Sequence, residues 1–110
     1  MNDTEQGQSP QTQEQQSIIE KLHSETALMH WIDLQKFFAQ GRVLRLDKSL
    51  DLVATAVLFA NDMVNQLESH IKSELIMPPT NDHARTWYAE NTELWTVVVA
   101  PYILVQEHKV

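Results

Sequence analysis

Glu25, Thr26, Asp51 and Asp62 are the residues of this chain whose types and positions offer chemistry most directly. Two carboxylates held close together split their pKa values and can serve as acid and base. Asp47 and Asp51, four residues apart, are one such pair at the start of a helical pattern. The plainer reading is that Asp51 lies in a first turn and complements the positive end of the helix. Asn61 falls on an apolar stripe, where a polar group needs a partner, and Asp62 lies next to it off the stripe. The expectation is that Glu25, Thr26 and Asp62 approach one another, as a polar site or as a brace between helices.

The residue types needed for other chemistries are missing or badly spaced. The chain has no cysteine, which removes disulfides, thiolate ligands and a Cys nucleophile. Its five histidines, His23, His30, His70, His83 and His108, include no i,i+3 or i,i+4 pair, so no metal site is assigned. With only Gly7 and Gly41 there is no phosphate-cradling loop, and no G-x-S-x-G motif occurs. No catalytic residue and no cofactor is assigned, and the balance leans against an enzyme.

Lys36, Arg42, Arg45 and Lys48 supply four of the eight bases within a short span, a candidate anion patch. Such a patch can contact phosphates. The formal net charge of −7 opposes that use and also opposes binding to anionic lipid. Nucleic acid is therefore a poor partner, and a solvated or salt-bridged surface is the simpler account. No apolar run is long enough to span a bilayer. No leader pattern opens the chain, so the expected setting is cytoplasmic. Trp31, Trp95 and Tyr102 are interface candidates, because aromatic side chains concentrate binding energy. Trp87 belongs with them as a pocket or core residue.

The elements that must position these groups follow from periodicity. Residues 1–16 hold no aliphatic or aromatic side chain after Met1 and are expected to be a disordered polar tail, with one domain over 17–110. Ser17 and Glu20 form a capping-box pattern before a helix of about residues 18–29. A second, short helix covers Trp31 to Gln40 and ends at Gly41. Arg42 to Leu46 alternates as a short strand. Ser49 caps a long helix whose stripe runs from Leu50 to Ile71. Leu75–Ile76–Met77 is a brief strand stopped by Pro78–Pro79. Thr80 or Asn81 caps a helix reaching about Glu90. The apolar run Leu94 to Val105 reads as one bent strand, or as two strands sharing a corner at Pro101. The sum is an α+β fold, with a small three- or four-stranded sheet packed against one long helix and two or three shorter ones.

Several of these segments carry a resemblance. Glu25–Thr26–Ala27, Trp31 and the F-F-A-x-G of Phe37–Gly41 are similar to the opening signature of a bacterial family catalogued as domain of unknown function 2288. Leu50–Asp51–Leu52 and Asp62 are similar to its middle. Leu94 to Glu107 resembles its closing signature, L-W-x-V-V-V-A-P-W-V-L-V-Q-E, with Tyr102 in place of the second Trp. The resemblance covers about residues 24–107. It implies a bacterial and cytosolic setting, and it transfers no catalytic residue.

The function expected from these readings is a non-catalytic accessory module that binds another protein or a second copy of itself, with the apolar terminal strand as an exposed edge. The first alternative is a small-ligand-binding or catalytic domain, with Glu25, Asp51 and Asp62 in an aromatic pocket. The second is weak nucleic-acid binding through Lys36–Lys48.

Overall fold

The computed structural model describes residues 10–108. Residues 1–9, over half of the expected polar tail, lie outside the described residues. The first helix, α1, spans Pro10–Glu25 and so starts before Ser17. Proline suits a first helical position, and the Gln and Glu that follow are good helix formers.

α1 stops earlier than its apolar pattern implies. The Thr26 hydroxyl donates to the Leu22 carbonyl oxygen at 2.6 Å, and the chain then turns into a strand, β1 (Ala27–His30). Leu28 and Met29 belong to that strand and not to a helix. A 3₁₀ turn (Trp31–Asp33) leads into α2 (Gln35–Ala39), and β2 (Val43–Leu46) follows as expected.

The expected long helix is not continuous. α3 runs Leu52–Ala60 only, then come a 3₁₀ turn (Val64–Leu67) and α4 (Glu68–Lys72). Asp62 is the cause of the break. Its φ is 61°, the Met63 N–H donates to the Leu58 carbonyl at 2.8 Å, and the Asp62 N–H donates to the Phe59 carbonyl at 3.1 Å. This bond pair is the Schellman motif with Asp62 as the left-handed residue. Asn61 is therefore a C-cap and not a buried polar residue in mid-helix. The same motif closes α2 at Gly41 (φ 74°), α4 at Glu74 (φ 63°) and α5 (Asn81–Ala89) at Asn91 (φ 52°).

β3 is the pair Ile76–Met77, and the C-terminal apolar run forms two strands, β4 (Glu93–Val99) and β5 (Tyr102–Glu107). They make a hairpin with Val99 opposite Tyr102 around Ala100–Pro101, whose peptide is cis. The sheet has five strands, not three or four, in the order β1-β4-β5-β2-β3. All neighbours are antiparallel except β2 and β5, which are parallel. β4 and β5 are thus inner strands, and the expectation that the terminal strand presents an edge is corrected. The edges are β1 and β3.

Helices cover both faces of this sheet. On one face Leu46, Val97, Val99 and Leu104 pack with Leu22 of α1, Leu52 and Ala56 of α3, and Leu67. On the other, Val43, Leu94, Ile103 and Val105 pack with Trp31, Leu34 and Trp87. Strand alternation sends neighbouring residues of β4 and β5 to opposite cores. That is why the terminal run reads as almost continuously apolar. Among the described residues, no helix is long and apolar enough to cross a membrane.

Candidate functional site

The first core leaves a groove beside it. α1 and α3 pack together over the sheet, and the seam between them opens into two adjoining hollows of about 530 and 300 Å³. One wall is Ile19 and His23, one turn apart on α1, with Thr26 just past its end. The other wall is Leu50 and Asp51 of the preceding loop and the first turns of α3, as far as Val57. Trp95 of β4 and Gln106 of β5, cross-strand partners on one face of the sheet, form the floor. His23, Asp51 and Val53 line both hollows, so the imidazole and the carboxylate share the middle of the seam.

Most polar atoms here are already engaged. Asp51 is the N-cap of α3, and its Oδ1 accepts the Ala54 N–H at 2.8 Å. Ser49 does not take that role; its N–H donates to Asp47 Oδ2 at 2.9 Å. Hydrogen bonding by Ser49, hydroxyl first and then N–H, holds the Asp47 carboxyl below its ordinary value, with Arg45 and Lys48 adding to the effect. Asp47 and Asp51 are thus separate capping and turn residues. The Gln106 Nε2 donates to two carbonyl oxygens, Asp47 at 2.9 Å and Leu50 at 2.8 Å, and so ties β5 to the loop before α3. What the groove presents is the Trp95 indole, 37% exposed, with His108 edge-on to it at 5.5 Å.

The structure divides the residues singled out from the sequence. Thr26, Asp51 and Trp95 converge on the groove. Glu25 and Asp62 line a separate hollow of about 420 Å³ with Lys21, beside the hairpin turn. Glu25 and Asp62 line this hollow, while Thr26 lines the groove. Tyr102 meets Phe59 edge-to-face at 5.7 Å and lines an apolar hollow with Ile71 and Met77. Trp31 is not a surface residue: it is 1% exposed and packs edgewise on Phe38 and Trp87 in the second core. Aromatic type alone does not separate core from interface.

Among the four bases the partners differ. Arg45 Nη2 and Nε reach one Glu107 oxygen at 2.7 and 3.1 Å. Arg42 Nε donates to the Pro101 carbonyl at 2.8 Å, and its guanidinium shares the Phe37 ring with Lys36. Lys48 lies beyond the opposite end of β2 from Arg42. Sequence reasoning missed His23 and Gln106. Their signals were modest: the i, i+4 spacing of Ile19 and His23, and the position of Gln106 directly after the terminal apolar run.

Among the described residues, no group of three or more His, Asp or Glu side chains is placed to hold a metal ion. The curated proteins include no match to this chain. Among solved structures, the NMR solution structure of PA1075 from Pseudomonas aeruginosa is similar, at 34% identity and a TM-score of 0.73, covering 86% of this chain and 87% of that one. Residues 17–107 match the family model described as "Protein of unknown function (DUF2288)". A match over that span, on a five-stranded sheet whose central hairpin is the Leu94–Glu107 signature itself, places the chain in the DUF2288 family.

Proposed function

We propose that this chain is a non-catalytic binding module of a bacterial cytoplasm, and that the α1/α3 groove takes a short segment of a partner protein. The observation that carries this reading is the convergence of Thr26, Asp51 and Trp95, from three separate elements, on one open groove. The Thr26 hydroxyl, Asp51 Oδ1 and the Gln106 amide nitrogen are spent on backbone partners. A partly exposed indole in one hollow and Ile19, 40% exposed, in the adjoining one are anchors for apolar side chains. His23 and Asp51 flank them as polar selectors.

The test is affinity capture from the native cell with wild type and two variants, Trp95→Ala and Ile19→Asp. The expected result is a protein retained by wild type and lost with both variants, while circular dichroism shows each variant folded. Capture unchanged by both variants would remove the groove from the function. A second reading, a small-ligand site, is favoured by the volume of the larger hollow, which lies within the range of ligand pockets. Trp95 fluorescence that responds to a metabolite pool and not to any protein fraction would select it.

A further inference from the structure

The two edges of the sheet are not equivalent. β3 is two residues long and runs into Pro78–Pro79, which lack N–H groups and close that edge to pairing. β1 has no such protection. Its register with β4 sets Ala27 opposite Thr96 and Met29 opposite Leu94, and the Trp31 N–H continues the ladder by donating to the Thr92 carbonyl at 2.9 Å. Hydrogen-bonded pairs alternate along an antiparallel ladder. Ala27, Met29 and Trp31 therefore turn their peptide groups toward β4, while Leu28 and His30 turn theirs outward from the sheet.

We propose that β1 pairs with β1 of a second copy of this chain, antiparallel, about a two-fold axis at Met29. Leu28 then lies opposite the partner's His30, and His30 opposite the partner's Leu28. Each pair exchanges two hydrogen bonds, so all four outward N–H groups and all four outward carbonyls of the two strands are satisfied. The rival register, Leu28 opposite Leu28, would set His30 against Thr26, whose N–H is already given to the His23 carbonyl at 3.3 Å. A two-fold contact is self-complementary and closes at two copies, whereas the proline-blocked edge offers no continuation.

The side chains agree with this register. On one face each row across the joined sheet reads Glu93, His30, the partner's Leu28 and the partner's Trp95. His30 Nε2 is 3.5 Å from Glu93 within its own copy, so no carboxylate meets a carboxylate across the axis despite the net charge of −7. On the other face Met29 meets the partner's Met29. Leu28 and Met29 are only half-buried in the single chain, and Ile32, in the 3₁₀ turn that follows β1, is 57% exposed. Hydrogen bonds exchanged with water do not by themselves offset the loss of freedom on association. Covering these apolar groups supplies the remainder.

The chain lacks cysteine, so single-cysteine variants report the register directly. Non-hydrogen-bonded antiparallel partners have Cα atoms about 4.5 Å apart, within disulfide reach. Two copies of residue 28 are offset by two positions and fall outside it. On mild oxidation of the folded full-length protein, Met29→Cys is expected to give a covalently linked dimer and Leu28→Cys to stay unlinked. Sedimentation of wild type should show a concentration-dependent dimer. Ile32→Asp, which removes an exposed side chain and leaves both cores intact, should weaken it at least tenfold. A strict monomer at the highest attainable concentration overturns the proposal, as does linkage of Leu28→Cys in place of Met29→Cys. The pairing stands apart from the groove, because Ile32 does not line it: partner capture that survives Ile32→Asp while the dimer is lost separates the two readings.

Discussion

Arg45 and Glu107 join the two parallel strands of the sheet, with the guanidinium Nη2 2.7 Å from a carboxylate oxygen. Both side chains are partly shielded, at 22% and 36% exposure. A charge-assisted contact of this kind outlasts a free surface pair, because it is less screened and its geometry is held by the strands. Glu107→Gln is expected to lower stability by about 1 kcal/mol in urea denaturation. It should also release a cation, so that the variant is retained on heparin at low salt more strongly than wild type. Equal elution of the two would show that Arg45 is not withheld from anions by this pair.

The four left-handed helix ends make a graded experiment. Gly41 is the only glycine among them, and a Cβ added there would meet nothing within 4 Å, so Gly41→Ala tests backbone cost alone. A loss of about 1 kcal/mol is expected. Glu74→Gly should move the other way, gaining about 0.5–1 kcal/mol, since glycine adopts a φ of 63° without the Cβ penalty. Thermal midpoints moving in the same direction for both variants would contradict the assignment of these residues as helix-ending positions.

His83 makes the cap of α5 sensitive to pH. Its Nδ1 accepts the Thr80 N–H at 3.0 Å while the Thr80 hydroxyl accepts the His83 N–H, and the ring stacks on Trp87 at 5.2 Å. Burial, followed by the nearby Arg45 charge, lowers its pKa from the ordinary 6.5, against smaller opposing effects of Glu107 and Asp82. The unfolded chain therefore binds the proton more readily than the folded one. This group's contribution to stability is full above pH 6.5 and is lost as pH falls below 6.5 through the folded value. His83→Gln, which keeps a side-chain acceptor without a titration, should flatten the difference in stability between pH 7 and pH 5. An unchanged slope would assign the pH dependence to other groups.

Gln106 tests how the groove is held open. Its amide donates to the Asp47 and Leu50 carbonyls from a part-buried position. Gln106→Leu leaves both acceptors without that donor and is expected to cost about 1–3 kcal/mol. Gln106→Glu, which offers oxygen to oxygen, should cost at least as much. Hydrogen exchange should rise in the residues 47–51 loop for either variant, and unaltered exchange there would show that the loop does not depend on this bridge.

How much of this was legible beforehand depended on where the deciding interactions lie. Period-two alternation at Val43–Leu46, the Thr80 cap, the Gly41 stop and the apolar run from Leu94 are local signals, and the elements they imply are present. Ala27–His30 carries no such signal. Its four residues continue the apolar spacing of α1 and become a strand only because Thr96 to Glu93 lie beside them. The stripe from Leu50 to Ile71 was likewise compatible with one helix, and the left-handed turn at Asp62 that divides it has no glycine to announce it.

The amino-acid sequence alone determined the mixed α and β content, the absence of thiol chemistry and the strand character of the apolar run from Leu94 to Val105. Each rests on residue type or on spacing within one segment. The tertiary structure decided which aromatics are buried, that Arg45 pairs with Glu107, and that Thr26, Asp51 and Trp95 line one groove while Glu25 and Asp62 line another hollow. Those outcomes depend on contacts between segments distant in the chain. Local periodicity carries no record of which helix flank a sheet will cover, or of which strand is left at its rim.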